Sequence, residues 1–393
     1  MHNVKRTMKT AFGKLPQIPT RIGAKILLLV HADLDGEGSA MILEHMSINA
    51  EVRRLSTSNM SYEIGKVFIE NQSANYDFII AADVSCSEKV CEIIAKHPDS
   101  KKFIIIDHHQ TADYLNKYPF GVCQSAILTD SPTTRMFRDY FKDKTTKEFL
   151  ATGLHSSGTS LMYDLAYYQG LYDTLNQNPK VTEIYRIFAH FVRCYDTWDW
   201  HVYMNDPEIC ENLNILYDAY GAENFSMKML TNIHDVVKRP GYEWDDVPVY
   251  AEDDLLTKDD LFVANCERDK ADSFVKSISR HVRTGCLLLP DENQETKYYS
   301  VAYINCNRYL QETFDMMKEQ YPDTDVYIVN YGSGLSFRVV REDINIGMIV
   351  SKLWGGGGHP GAAGVKIPIE KIEDLICNEV LTGNLILNEK ENE

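Results

Sequence analysis

Lys25-Ile-Leu-Leu-Leu-Val-His-Ala-Asp-Leu-Asp-Gly-Glu-Gly-Ser-Ala40 decides how the chain is read. Its apolar half is too short for a helix and is stopped by polar residues and glycine, which predicts a short buried strand over Lys25–Val30. Gly38, Ser39 and the run from Ala40 to Leu43 predict the start of a helix, over Gly38–Ser47. Asp33 and Asp35 then fall on the turn leaving the carboxyl end of a strand, where open α/β sheets place their ligands. Two carboxylates two residues apart, with His31 two before, crowd negative charge that calls for a cation. An ordinary turn built from Asp and Gly would look the same in isolation.

The pattern recurs. Asn75-Tyr-Asp-Phe-Ile-Ile-Ala-Ala82 reads as a second strand ending on Asp83, and Lys101-Lys-Phe-Ile-Ile-Ile106 as a third ending on Asp107-His108-His109. Three apolar strands that each deliver an acid or an imidazole at the same end predict a metal site. Carboxylate and imidazole together suit divalent ions such as Mn²⁺ or Mg²⁺.

Further strands are predicted over Glu51–Leu55 and Gly121–Leu128, with helices over Tyr62–Asn71 and Glu88–Lys96. This alternation predicts a parallel sheet with helices on both faces. A helical lobe follows, from Pro132–Lys142, a helix opened by His155-Ser-Ser-Gly-Thr-Ser160, and Val181–Cys194. The Ser/Thr-rich start can cap its own amides or receive a phosphate. Trp198 and Trp200 are read as packing rather than base-stacking residues. Residues 201–281 are polar, acidic and helical in pattern, and are read as a linker broken at Pro240-Gly241. A smaller α/β domain over 282–384 is predicted from strands Thr284–Leu289, Tyr298–Asn305, Asp325–Tyr331 and Leu335–Val340 and helices Asn307–Gln320 and Ile344–Leu353. Residues 1–24 read as a loosely ordered basic arm, without signal-peptide character, and 385–393 as a disordered tail.

Bulk properties narrow the function. A length of 393 residues suits two domains. A net charge of −17 argues against a basic surface that grips long nucleic acid. It leaves room for a slot in which metal ions supply the positive charge. Nine cysteines without a C-x-x-C pair read as reduced thiols, so a cytoplasmic location is expected, and no run approaches a membrane span.

H-x-D-x-D-G, a strand-end Asp and Asp-His-His together resemble the DHH phosphoesterases: RecJ-type exonucleases, oligoribonucleases, cyclic-dinucleotide phosphodiesterases and family II pyrophosphatases. The resemblance continues to Asp196 in Cys194-Tyr-Asp-Thr-Trp-Asp-Trp200. It reaches Gly355-Gly-Gly-Gly-His-Pro-Gly-Ala-Ala-Gly364, which is similar to the glycine-histidine motif of the accessory domain DHHA1. It implies a DHH catalytic domain over 25–200 and two divalent cations, Mn²⁺ in preference to Mg²⁺. His31 and Asp33 would serve one ion, Asp35, His108 and Asp196 the other, and Asp83 would bridge them. Asp107 would orient its neighbours, and His109 would face the scissile phosphate and donate a proton. Ser156, Thr159 and Ser160 are candidates for phosphate binding. On the accessory domain the candidates are Ser336 and Arg338 of Leu335-Ser-Phe-Arg-Val-Val340, together with Gly357, Gly358 and His359.

The accessory motif argues against a pyrophosphatase, and the acidic surface against a processive nuclease. The expected substrate is a short RNA or a dinucleotide, as for the oligoribonuclease branch. A cyclic- or linear-dinucleotide phosphodiesterase and an inactive DHH scaffold are the alternatives. No membrane partner is expected; a second copy of the chain would be compatible.

Overall fold

The computed structural model describes residues 6–21, 23–45, 50–133, 155–174, 178–199, 208–236, 255–290, 296–341, 343–366 and 385–388. The chain divides into two compact units, Met1–Asn265 and Cys266–Glu393.

In the first unit, strands β1 (Ile26–His31), β2 (Ala50–Leu55), β3 (Phe78–Ala82), β4 (Phe103–Asp107) and β5 (Gly121–Cys123) form a parallel sheet of order β2-β1-β3-β4-β5. Both faces are covered, which is why β1, β3 and β4 read as unbroken apolar runs. Leu28, Val30, Ile80, Ala82, Ile104 and Ile106 face one core. Leu27, Leu29, Ile79, Ala81 and Ile105 face the other. That second face is closed by α3 (Met60–Ile69) and α4 (Glu88–Lys96), through Ile64, Val67, Phe68, Cys91 and Ile94.

The first face carries α1 (Met8–Phe12), α2 (Leu34–His45), α5 (Gly158–Tyr168) and α6 (Pro179–Asp196). It also carries α7 (Glu208–Tyr220) and α8 (Ala222–Val236). Ile209, Leu213, Leu216, Phe225, Met229 and Ile233 of the last two are buried in this core, so Glu208–Val236 of the stretch read as a linker packs into the first unit. The arm is likewise seated. Phe12 and Ile18 are buried, the Arg6 guanidinium donates to Asn116 Oδ1 at 3.1 Å, and Lys14 Nζ donates to the Tyr118 carbonyl at 2.7 Å. Helix α9 (Lys258–Ile278) runs from the first unit into the second.

The second unit is a mixed sheet of β6 (Arg283–Pro290), β7 (Thr296–Asn305), β8 (Val326–Asn330), β9 (Leu335–Val339), β10 (Gly357–His359), β11 (Ala362–Val365) and β12 (Leu385–Asn388). Its order is β10-β11-β9-β8-β7-β6-β12, with β7 and β8 parallel and the other pairs antiparallel. Helix α10 (Leu310–Gln320) covers one face through Phe314 and Met317, and α11 (Ile346–Trp354) covers the other through Ile346, Ile349 and Val350.

Several expectations shift. The strand predicted to Leu128 stops at Cys123. The tail is a strand over Leu385–Asn388, paired with Thr284–Leu287 of β6. The helix predicted over Pro132–Lys142, Trp200 and residues 389–393 lie outside the described residues. Helix α2 starts at Leu34 rather than Gly38, because Asp33 caps it: Asp33 Oδ1 accepts the Gly36 amide at 2.9 Å.

Candidate metal centre

Sheet register assembles the site. Val30 lies opposite Ala82, and Ala82 opposite Ile106, so the next residue of each strand, His31, Asp83 and Asp107, forms a row along the carboxyl edge. From β1 the chain goes first to β2 on one side and then to β3 on the other. The row therefore sits at the switch point where open α/β sheets bind ligands. Asp83 holds a left-handed backbone conformation, φ +58°, which short polar residues tolerate better than others.

The two oxygens of Asp83 look in two directions. Oδ2 lies 3.9 Å from His31 Nδ1, which also contacts Asp33 Oδ2. Oδ1 lies 3.1 Å from His108 Nε2. His108 Nε2 is in turn 3.6 Å from Asp35 Oδ2 and 3.6 Å from Asp196 Oδ2. The donor atoms of His31, Asp33 and Asp83 lie within 4.8 Å of one another, as do those of Asp35, His108 and Asp196. Those of Asp83, Asp107, His108 and His109 do so too.

These residues fit divalent cations. Asp83 Oδ2 and Asp196 Oδ2 are buried and accept no hydrogen bond among the described residues. Burial, and then the charges of Asp35, Asp33 and their neighbours, push the carboxyls of Asp83 and Asp196 well above the usual range. A buried group of like charges is stable only when paired or when it coordinates a metal. Burial, reinforced by the charge of His109, lowers His108 to about 4 and leaves its imidazole neutral, as a ligand must be.

Asp107 Oδ1 is engaged by the loop that follows it. This oxygen accepts the amides of His108 at 2.7 Å and His109 at 3.2 Å, and contacts His109 Nδ1 at 2.7 Å. Burial disfavours a charged His109, but Asp107 outweighs it and raises that imidazole to about 9. Asp107 thus braces His109 in its protonated form.

At the start of α5 the polar groups have partners within the chain. Ser157 and Ser160 form a capping box, and the Ser156 hydroxyl donates to the Ala126 carbonyl at 3.0 Å. Gly158 and Thr159 amides donate to Asp35 at 2.5 and 2.9 Å. Capping of the helix's own amides accounts for Ser157 and Ser160, whereas the Gly158 and Thr159 amides are taken by Asp35.

Sequence reading missed three contributors. Glu37, in the first turn of α2, is buried and accepts from Arg54 of β2 at 2.6 and 2.9 Å and from Ser226 of α8. Burial, and then the charge of Asp33, raises both Tyr217 and Asp218 of α7. All three come from positions whose sequence pattern is that of a solvated helix or an ordinary turn.

In the second unit, β11 lies between β9 and β10. Ala362 pairs with Arg338 on one side and with His359 on the other, so these two share a face, with Ser336 beside Arg338. Arg338 Nη1 donates to Ser336 Oγ at 3.2 Å, and the guanidinium lies 4.8 Å from the Phe314 ring centre. Gly357 and Gly358, expected in a ligand loop, lie on the hairpin of β10 and β11. Gly355 closes α11 at φ +72°, and a Cβ on Gly358, at φ +146°, would stand 2.3 Å from the Ala362 carbonyl.

Residues 298–380 match the DHHA1 domain. The smaller mixed sheet thus carries a DHHA1 domain, and the parallel sheet with its helical lobe is DHH-like. The oligoribonuclease NrnB of Bacillus subtilis (strain 168) is 25% identical over 358 residues, covering 89% of this chain and 75% of that protein. Among solved structures, RecJ from Thermus thermophilus in complex with Mn²⁺ is 12% identical, covers 92% of this chain and 52% of its own, and overlays at a TM-score of 0.45. The pGpG-specific phosphodiesterase PggH from Vibrio cholerae is 15% identical, covers 92% and 99%, and overlays at 0.37. No helix among the described residues is long and apolar enough to cross a membrane, and each described cysteine is a free thiol.

Proposed function

We propose that the chain is a two-metal phosphodiesterase that hydrolyses RNA of two to a few nucleotides and releases mononucleotides. The observation that carries this reading is Asp83, whose two oxygens face two separate donor sets. His31 and Asp33 would hold one cation and Asp35, His108 and Asp196 the other, with Asp83 reaching both. When bound, Mn²⁺ or Mg²⁺ at such a pair supplies the charge that lowers the pKa of a water and neutralises phosphate oxygens.

The chain's own groups do the rest. His109, protonated at neutral pH beside Asp107, carries a proton for the leaving oxygen. Asp107 keeps Nδ1 engaged, which leaves Nε2 as the donor. Arg338, His359 and Ser336 share one face of the second unit's sheet and suit the phosphate or base that is not cut. Binding energy from such a remote contact can be used to place the scissile phosphate. The acidic surface, with a net charge of −17, and the likeness to an oligoribonuclease favour short substrates.

The test is to incubate the protein with Mn²⁺ and labelled RNAs of graded length, matched DNAs and cyclic dinucleotides, and to resolve the products. Mononucleotides from the shortest RNAs, formed much faster than from strands tens of nucleotides long, are expected. A preference for long strands, or activity confined to cyclic dinucleotides, contradicts this reading.

A further inference from the structure

The first turn of a helix has four amides without partners inside the helix, and in α5 all four can be traced. Ser157 N–H donates to the Ser160 hydroxyl at 2.9 Å and Ser160 N–H to the Ser157 hydroxyl at 3.3 Å. The other two go to one side chain 123 residues earlier in sequence: Gly158 N–H donates to Asp35 Oδ2 at 2.5 Å and Thr159 N–H to Asp35 Oδ1 at 2.9 Å. Asp35 is thus gripped through both oxygens, at the positive end of a helix dipole. Its backbone is held as well, since the Thr159 hydroxyl donates to the Asp35 carbonyl at 2.6 Å.

Steric constraints at two glycines set this geometry. A Cβ on Gly158 would lie 2.3 Å from Asp83 Cβ and 3.0 Å from Asp35 Oδ2. A Cβ on Gly38 would lie 2.3 Å from Thr159 Oγ1. Helices α2 and α5 therefore approach as closely as they do only because both positions lack side chains. Asp35 faces His108 at 3.6 Å from this grip.

We propose that Gly158 and Thr159 are positioning residues for the metal centre: through backbone amides and one hydroxyl they fix the Asp35 carboxylate where it meets His108 and Asp196. The inference rests on the metal-centre reading above. A helix start of this composition resembles a phosphate cradle, but here a carboxylate of the same chain fills it, and its task is to orient a ligand rather than bind substrate. Orientation of a metal-binding carboxylate by hydrogen bonds commonly governs affinity by ten- to a hundredfold.

The experiment is a calorimetric Mn²⁺ titration of the full-length protein, free of substrate, with melting followed in parallel. Thr159→Val keeps the shape and the amide but removes the hydroxyl donor, and weakens Mn²⁺ binding about three- to tenfold. Thr159→Ser restores the hydroxyl and binds within about twofold of the parent. Gly158→Ala weakens binding tenfold or more; should it fail to fold, the Thr159 pair still decides the matter. A Thr159→Val variant that binds Mn²⁺ as the parent does, whatever its melting temperature, or a Thr159→Ser variant as weak as the valine one, overturns the positioning role while leaving the metal centre standing. A parent protein that binds neither Mn²⁺ nor Mg²⁺ overturns both.

Discussion

The carboxyl edge of the first unit's sheet and the Arg338–His359 face of the second are built on different principles. At the first, Asp35, Asp83, Asp107 and His108 are buried, and each is placed by strand register or by backbone amides. At the second, Arg338 and His359 are half-buried on short strands at one side of a mixed sheet, next to a glycine hairpin. Rigid, desolvated carboxylates suit chemistry, where small displacements are costly. A half-buried guanidinium and imidazole suit contact with a part of the substrate that does not react. On the proposed function, cutting would fall to one unit and reading to the other.

The sharpest way to break this division is Asp83→Asn. It removes charge from the one residue facing both donor sets, and turnover should fall on the order of a thousandfold, about 4 kcal/mol. The fold should not suffer. Asparagine tolerates the left-handed backbone, and a buried carboxyl raised above its unfolded value is a cost once pH exceeds that value. At neutral pH in chelator the variant should therefore melt no lower than the parent. Loss of melting temperature together with activity would make Asp83 a structural residue.

A smaller effect is expected on the reading side. Arg338→Ala and His359→Ala should each slow dinucleotide hydrolysis about ten- to a hundredfold, the range of a lost charge-assisted contact. Hydrolysis of a small chromogenic phosphodiester, measured on the same preparations, should change by less than about twofold, since a lost contact cannot matter to a substrate too small to make it. Equal losses on both substrates would dissolve the comparison. The smallest effect belongs to Arg54→Lys, which gives up the two-pronged hold on buried Glu37. It should cost about 1–2 kcal/mol of unfolding free energy in a denaturant titration, with a metal affinity close to the parent's.

How legible these features were follows from the distance over which each is decided. Strands β1, β3 and β4 were plain because burial on both faces makes them apolar throughout, and their terminal Asp and His residues stand in the sequence next to those runs. The start of α2 was obscured because Gly36 and Gly38 suggest a turn, whereas Asp33 caps the helix. The grip of Gly158 and Thr159 on Asp35 joins residues more than a hundred positions apart, and local composition pointed to phosphate instead. The glycines at 355–358 pointed to a ligand loop, and the sequence does not show that Gly356 and Gly358 also admit the close approach of β11, at the Gly364 and Ala362 carbonyls. Helices α7 and α8 looked like a solvated linker because their polar faces are broad, although Leu213, Phe225 and Met229 are wholly buried.

The central claim is that Asp83 joins two cations. Electron paramagnetic resonance of the Mn²⁺-loaded protein, with the metal content measured on the same sample, tests it most directly. Two Mn²⁺ per chain with the signature of a spin-coupled pair, about 3.5–4 Å apart, are predicted for the parent. In Asp83→Asn the coupling should disappear. A single ion, two uncoupled ions, or coupling that survives the substitution would contradict the account.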